Sequence, residues 1–120
     1  MIASLSRATA SAAALLLGAC AAPELYYWGD YEDSVRRVSS ETEGFDVVAE
    51  TDLLETTLEK AQNNDKAVPP GFHAHLAYLL YMRGDVEGAV RQLETEKSRY
   101  PDSAKLVDFL LNRMSTSKAP

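Results

Sequence analysis

Cysteine occurs once in these 120 residues, at Cys20, and histidine twice, at His73 and His75. A single thiol excludes an internal disulfide framework. Two histidines two positions apart on a helix point to different faces, whereas a metal pair wants a spacing of three or four. Neither a Gly-rich phosphate loop nor an HExxH pattern is present. No apolar run approaches the ~20 residues needed to span a bilayer. Basic residues are scarce where acidic ones crowd: Glu24 to Asp65 holds 12 acidic and 3 basic residues, a net of −9. Such a chain is a poor match for nucleic acid, whose phosphates demand a basic face. It should also be repelled by anionic lipid. Carboxylates are plentiful, but acid–base work needs a pocket that separates their pKa values, and a short helical chain promises none. The expectation is a non-enzyme with no cofactor, no metal and no small-molecule substrate.

What is present begins at the N-terminus. Arg7 is the only charge among the first 23 residues, and Ala8 to Leu17 is small and apolar throughout. A basic start and a short apolar core make a secretory signal. Leu17-Gly18-Ala19-Cys20 follows and resembles a lipobox, with the chain's sole cysteine at the position that takes the lipid. Residues 1–19 are therefore expected to be cleaved, and 20–24 to form the acylated terminus and spacer. Residues 25–115 would form a single domain, with 116–120 a disordered tail. Attachment of several acyl chains makes such anchoring stable, since one chain alone is marginal. Ala21 after the cysteine, in a Gram-negative host, favours the periplasmic face of the outer membrane.

Leu25-Tyr26-Tyr27-Trp28-Gly29-Asp30-Tyr31 places four aromatics within six positions. Apolar rings cost free energy in water unless covered. Either the segment folds back to close the core, or Tyr26, Tyr27 and Trp28 form an interface with membrane or partner. Tyr31, Val35 and Val38 recur at helical spacing and predict a helix near 31–40. Asp46 is placed to cap a helix over 47–62, with Val47, Thr51, Leu54, Leu58 and Ala61 on one stripe. Val68-Pro69-Pro70-Gly71 is a rigid turn whose prolines suit a helix start. Helices over 72–83 and 86–99 are separated by Gly84-Asp85, the second carrying Val86, Ala89, Val90 and Leu93 in register. Tyr100-Pro101-Asp102-Ser103 ends it and opens a last helix bearing Leu106, Val107, Phe109, Leu110, Leu111 and Met114. The fold class predicted is all-α: a short helical array with one hairpin and a C-terminal capping helix.

The hairpin resembles a tetratricopeptide repeat. Leu76, Ala77, Leu80, Gly84, Ala89, Leu93 and Pro101 match its pattern, while His73 and Glu96 depart from it. Glu96, where a small residue is expected, suggests a packing face that is partly open. One such repeat is not stable alone, so the upstream helices must complete the core. On the first hairpin helix, His73, Leu76, Ala77 and Leu80 make the packing face and His75 faces out. Ala74, Tyr78, Tyr81 and Met82 make a second apolar face. That face is either covered by the 47–62 helix or the Tyr-Tyr-Trp segment, or open as a groove for a peptide or helix.

Taken together, Leu25 to Tyr31, Val68 to Gly71 and the hairpin resemble a family of small bacterial lipoproteins of unknown function, over a span reaching about Met114. The resemblance assigns no enzymatic activity. Members are often encoded beside a lipoprotein similar to the curli secretion channel. It thus implies a lipid-anchored adaptor that contacts another envelope protein. The alternative is a structural lipoprotein that self-associates or attaches to the cell wall. Replacing Cys20 by Ala is expected to abolish palmitate incorporation in metabolically labelled cells; labelling that persists would refute the lipobox assignment.

Overall fold

The computed structural model describes residues 24–40 and 44–117. The expected signal peptide and lipidated Cys20 lie outside them. The described chain is all-α: α1 (Tyr31–Ser39), α2 (Val47–Asn63), α3 (Phe72–Met82), α4 (Val86–Arg99), one 3-10 turn (Pro101–Ser103) and α5 (Ala104–Ser117). Among the described residues no helix is long and apolar enough to cross a membrane. The helix ends follow local chemistry. Asp46 caps α2, its Oδ1 accepting from the Val48 and Ala49 amides at 2.9 and 3.1 Å. Asp85 caps α4, accepting from the Gly88 amide at 2.8 Å. These carboxylates satisfy amides that have no partner inside the helix. α5 runs to Ser117, two residues into the expected tail.

α3 is the central element. Phe72, His73, Leu76, Ala77, Leu79 and Leu80 are all buried on it, and it packs along α4 on one side and α2 on another. The α2 stripe contributes Thr51, Leu54 and Ala61 as buried residues, α4 adds Ala89 and Leu93, and α5 adds Val107. Each large apolar side chain so buried contributes roughly 1.5–3 kcal/mol. The hairpin positions Leu76, Ala77, Leu80, Ala89 and Leu93 are therefore packing positions, and Gly84 turns the chain at φ 85°.

The aromatic opening folds back. Tyr26 bridges Ala67 in parallel sense, and the Tyr27 amide donates to the Ala67 carbonyl at 2.8 Å. Tyr26 meets Tyr100 edge-on at 6.2 Å, and Tyr31 packs on Phe72 at 5.6 Å. Trp28 stacks on Tyr31 yet stays 39 % exposed.

Glu96 does not mark an open face. It is 1 % exposed, and it is the group to which the 68–71 turn is fastened. Its Oε1 accepts from the Gly71 amide at 2.7 Å and the Ser103 hydroxyl at 3.4 Å. Gly71 sits at φ 95°, and a Cβ there would lie 2.6 Å from the Tyr31 hydroxyl. A left-handed conformation and close contact both require glycine. Tyr100 closes the other side by donating its hydroxyl to the Val68 carbonyl. The packing face is small-residue-poor because a carboxylate fills it and caps α3 from a neighbouring helix. Glu96→Ala is expected to cost about 2–4 kcal/mol in chemical denaturation, by orphaning the Gly71 amide and opening a void. Glu96→Gln, which keeps the acceptor and the volume, should cost about 1 kcal/mol. Equal losses in the two variants would show that the carbonyl-type acceptor is not what holds the turn.

Candidate functional site

Ala74, Tyr78 and Tyr81 project from α3 toward Leu110, Arg113, Met114 and Ser117 of α5, over a floor of Ala77 and Leu93. The groove between these walls has a volume of about 280 Å³. Neither α2 nor the Tyr-Tyr-Trp segment lines it; α5 is the second wall. Tyr78 is 51 % exposed and presents its ring to the opening. Met82, expected on the same face, is exposed but does not line the groove. At one end the Tyr81 hydroxyl and Ser117 Oγ share a hydrogen bond of 2.6 Å. Arg113 is the only charged residue of the lining, with its guanidinium carbon 5.9 Å from the Phe109 ring centroid. Such a trough can take apolar side chains and offer one cation to an acidic group. The α5 wall was not assigned to the groove from sequence, although Leu110 and Met114 at i, i+4 carried the signal.

The two histidines part as their spacing requires, but His75 does not face out. His73 is 4 % exposed with Nδ1 2.7 Å from Gln92 Oε1. His75 turns toward α1, where Nε2 is 3.0 Å from Ser34 Oγ and Tyr31 meets its ring edge-on. Ser34 is buried, and beside it Arg37 grips Glu50 with two hydrogen bonds of 2.5 and 3.0 Å. This polar junction ties α1 to α2 and α3. Among the described residues no cluster of His, Cys, Asp and Glu is arranged to hold a metal ion.

Burial holds the His75 imidazole below its ordinary value of 6.5, with the Glu50 charge opposing. The Arg37 hydrogen bonds hold Glu50 below its ordinary 4.5 against the opposing effect of burial, and Ser34 helps. Both groups bind protons less readily folded than unfolded. Their stabilisation is complete above the unfolded values and is lost as pH falls. The thermal midpoint should therefore decline as pH falls below about 6.5 and His75 is driven to charge, and decline again below about 4.5 as Glu50 is driven to protonate. His75→Gln should flatten the first decline; an unchanged decline would assign it elsewhere.

No curated protein and no solved structure matches this chain. The pattern of one family, described as a domain of unknown function, matches residues 25–110. That span opens at the aromatic segment and closes on α5, taking in the turn, the hairpin and the inner part of the groove. The chain thus belongs to the DUF4810 family of domains of unknown function.

Proposed function

We propose that the protein is a lipid-anchored adaptor of the cell envelope that holds an apolar segment of another envelope protein in the α3–α5 groove. The observation that carries this reading is the exposed Tyr78 ring over an apolar trough left uncovered by the aromatic opening and α2. Tyrosine supplies large contact area at small entropic cost, and partly exposed aromatic rings are common anchors for partners. A trough of about 280 Å³ holds two or three large side chains of a helix or extended strand. Cys20 would tether the domain at the periplasmic face of the outer membrane. The five-residue interval to Leu25 leaves little slack, so the partner would be membrane-proximal. The lipoprotein similar to the curli secretion channel, implied by the family resemblance, is the first partner to test.

A second reading is self-association in a structural role. It is favoured by Leu106 and Phe109, which stand 54 % and 58 % exposed on α5.

The two are separated by in-cell photocrosslinking from position 78 in the full chain. The adaptor reading expects one envelope protein captured in near-equal amount, and its loss in a Tyr81→Ser background. Capture of the chain itself, abolished by Leu106→Ser with Phe109→Ser, would support self-association instead. Tyr78→Ala, at an exposed position, should lower the thermal midpoint by only a few degrees, about 1 kcal/mol or less, and adding Tyr81→Ala, whose ring is partly buried against the core, should cost somewhat more without collapse. A collapsed midpoint would make this face core and end the groove proposal.

A further inference from the structure

The opposite side of the α3–α4 hairpin has a second opening of different character. It lies between the C-terminal half of α2 and the outer half of α4, with the start of α3 as its floor, and its volume is about 220 Å³. Its charged lining residues are Lys66 and Arg99; no carboxylate lines it. Gln62, Gln92, Thr95 and His73 supply the polar remainder.

First, the chain carries 18 acidic residues against 12 basic ones, so carboxylates to pair with are abundant. The ion pairs among the described residues engage Arg36, Arg37, Arg83 and Lys97. Lys66 and Arg99 take part in none of them, as is true of Lys60, Arg91, Lys105 and Arg113, but these two line one cleft without a carboxylate. Second, Gln92 is held so that it can donate to an acceptor-rich guest. Gln92 receives His73 Nδ1 on its amide oxygen, which leaves its amide N–H groups as donors. His73, buried beneath, fixes that orientation. Thr95 gives its own proton to the Arg91 carbonyl at 2.9 Å, so Gln92 and the two cations are the donors of interest.

We infer that this cleft binds a phosphate monoester through Lys66 and Arg99, with the Gln92 amide as a neutral donor. Charge selects the ligand class. Two unpaired cations match a phosphate monoester, which carries about −1.5 to −2 near pH 7, whereas a carboxylate would leave one cation uncompensated. Arg99 offers the planar fork that grips two phosphate oxygens, and Lys66 offers a mobile point charge. The cleft is smaller than the ~300–1,000 Å³ of sites for drug-sized ligands, so the organic part is small or projects out. The phosphate could arrive on a soluble molecule or on a lipid headgroup; the recognition chemistry is the same.

The test is calorimetric titration of the full chain with glycerol 1-phosphate at low ionic strength, with glycerol and acetate as controls. A parallel arm uses vesicles of phosphatidate in phosphatidylcholine against phosphatidylcholine alone. Saturable binding of glycerol 1-phosphate is expected, weakened by added salt. It should be at least tenfold weaker for Lys66→Gln with Arg99→Gln and unchanged for Lys97→Gln, whose partner Asp108 lies elsewhere. Both cleft side chains are exposed, so the double variant should keep its thermal midpoint. Binding of phosphatidate vesicles that depends on Lys66 and Arg99, without binding of the soluble probe, would assign the lipid source. The inference is overturned if neither probe binds, or if the double variant binds either one as tightly as the parent.

Discussion

One buried carboxylate holds the molecule's parts in register. Glu96 lies on α4, yet its main hydrogen-bond partner is the amide that opens α3. Sequestering a charged carboxylate costs several kcal/mol unless it is well satisfied. Here a charge-assisted hydrogen bond at Oε1 and the positive end of the α3 dipole offset part of that cost, while the buried Oε2 has no hydrogen-bond partner among the described residues. The bond holds Gly71 at the end of the 64–71 connection, whose other residues are held by Tyr100 at Val68 and by the α2 carbonyls at Asn64, Asp65 and Lys66. Ala67 in that connection pairs with Tyr26 and Tyr27, and Tyr31 lies against Gly71. The aromatic opening and α1 therefore take their positions from a residue on the fourth helix. Burial raises the Tyr31 hydroxyl above its ordinary value of 10.0, and the Glu96 charge adds to that shift.

This arrangement explains what the sequence revealed and what it withheld. The boundaries of α1 to α4 are legible to within a residue, because Asp46, Gly84-Asp85 and Tyr100-Pro101 are local signals whose effect is decided locally, whereas α5 runs on into the expected tail. The α2 stripe from Val47 to Ala61 and the packing face of α3 were legible for a related reason: apolar periodicity records which face is inward. Periodicity does not record what a polar residue meets once inside. Glu96 breaks the apolar pattern, and an acidic residue at a packing position suggests an exposed face; its partner is a backbone amide 25 positions away. His75 falls off the main packing stripe, but α1 covers that flank and Ser34 receives it. In both cases the missing information was the path of a loop, which hydrophobic spacing does not encode.

The groove was half legible. Ala74, Tyr78 and Tyr81 share an apolar face that the hairpin pattern exposes, and the structure leaves that face uncovered by α2 and the opening segment. Its second wall came from α5, a helix whose own pattern is apolar on more than one side. Leu110 and Met114 turn inward while Leu106 and Phe109 stay in water. The hairpin thus separates two chemistries. The α5 side is apolar with a single cation, and the α2 side is polar with two. The two openings present different chemistry on the two sides of one hairpin.

The two walls of the groove are not equally firm, and this bears on how it would take a guest. α3 is buried along most of its length, so its side chains are fixed by the core. α5 has one buried residue, Val107, with Leu110, Leu111 and Met114 only partly covered. Its polar attachments are exposed: Lys97 to Asp108 at 2.7 Å and Tyr81 to Ser117 at 2.6 Å. Exposed ion pairs contribute about 0–1 kcal/mol, so α5 is held mainly by a few partly buried side chains. Elements with few buried contacts open at lower free energy than the core. The outer turns of α5 can therefore shift against a rigid α3 without disturbing Glu96 or the turn it holds. A groove with one fixed and one yielding wall can widen without disturbing the core that fixes α3.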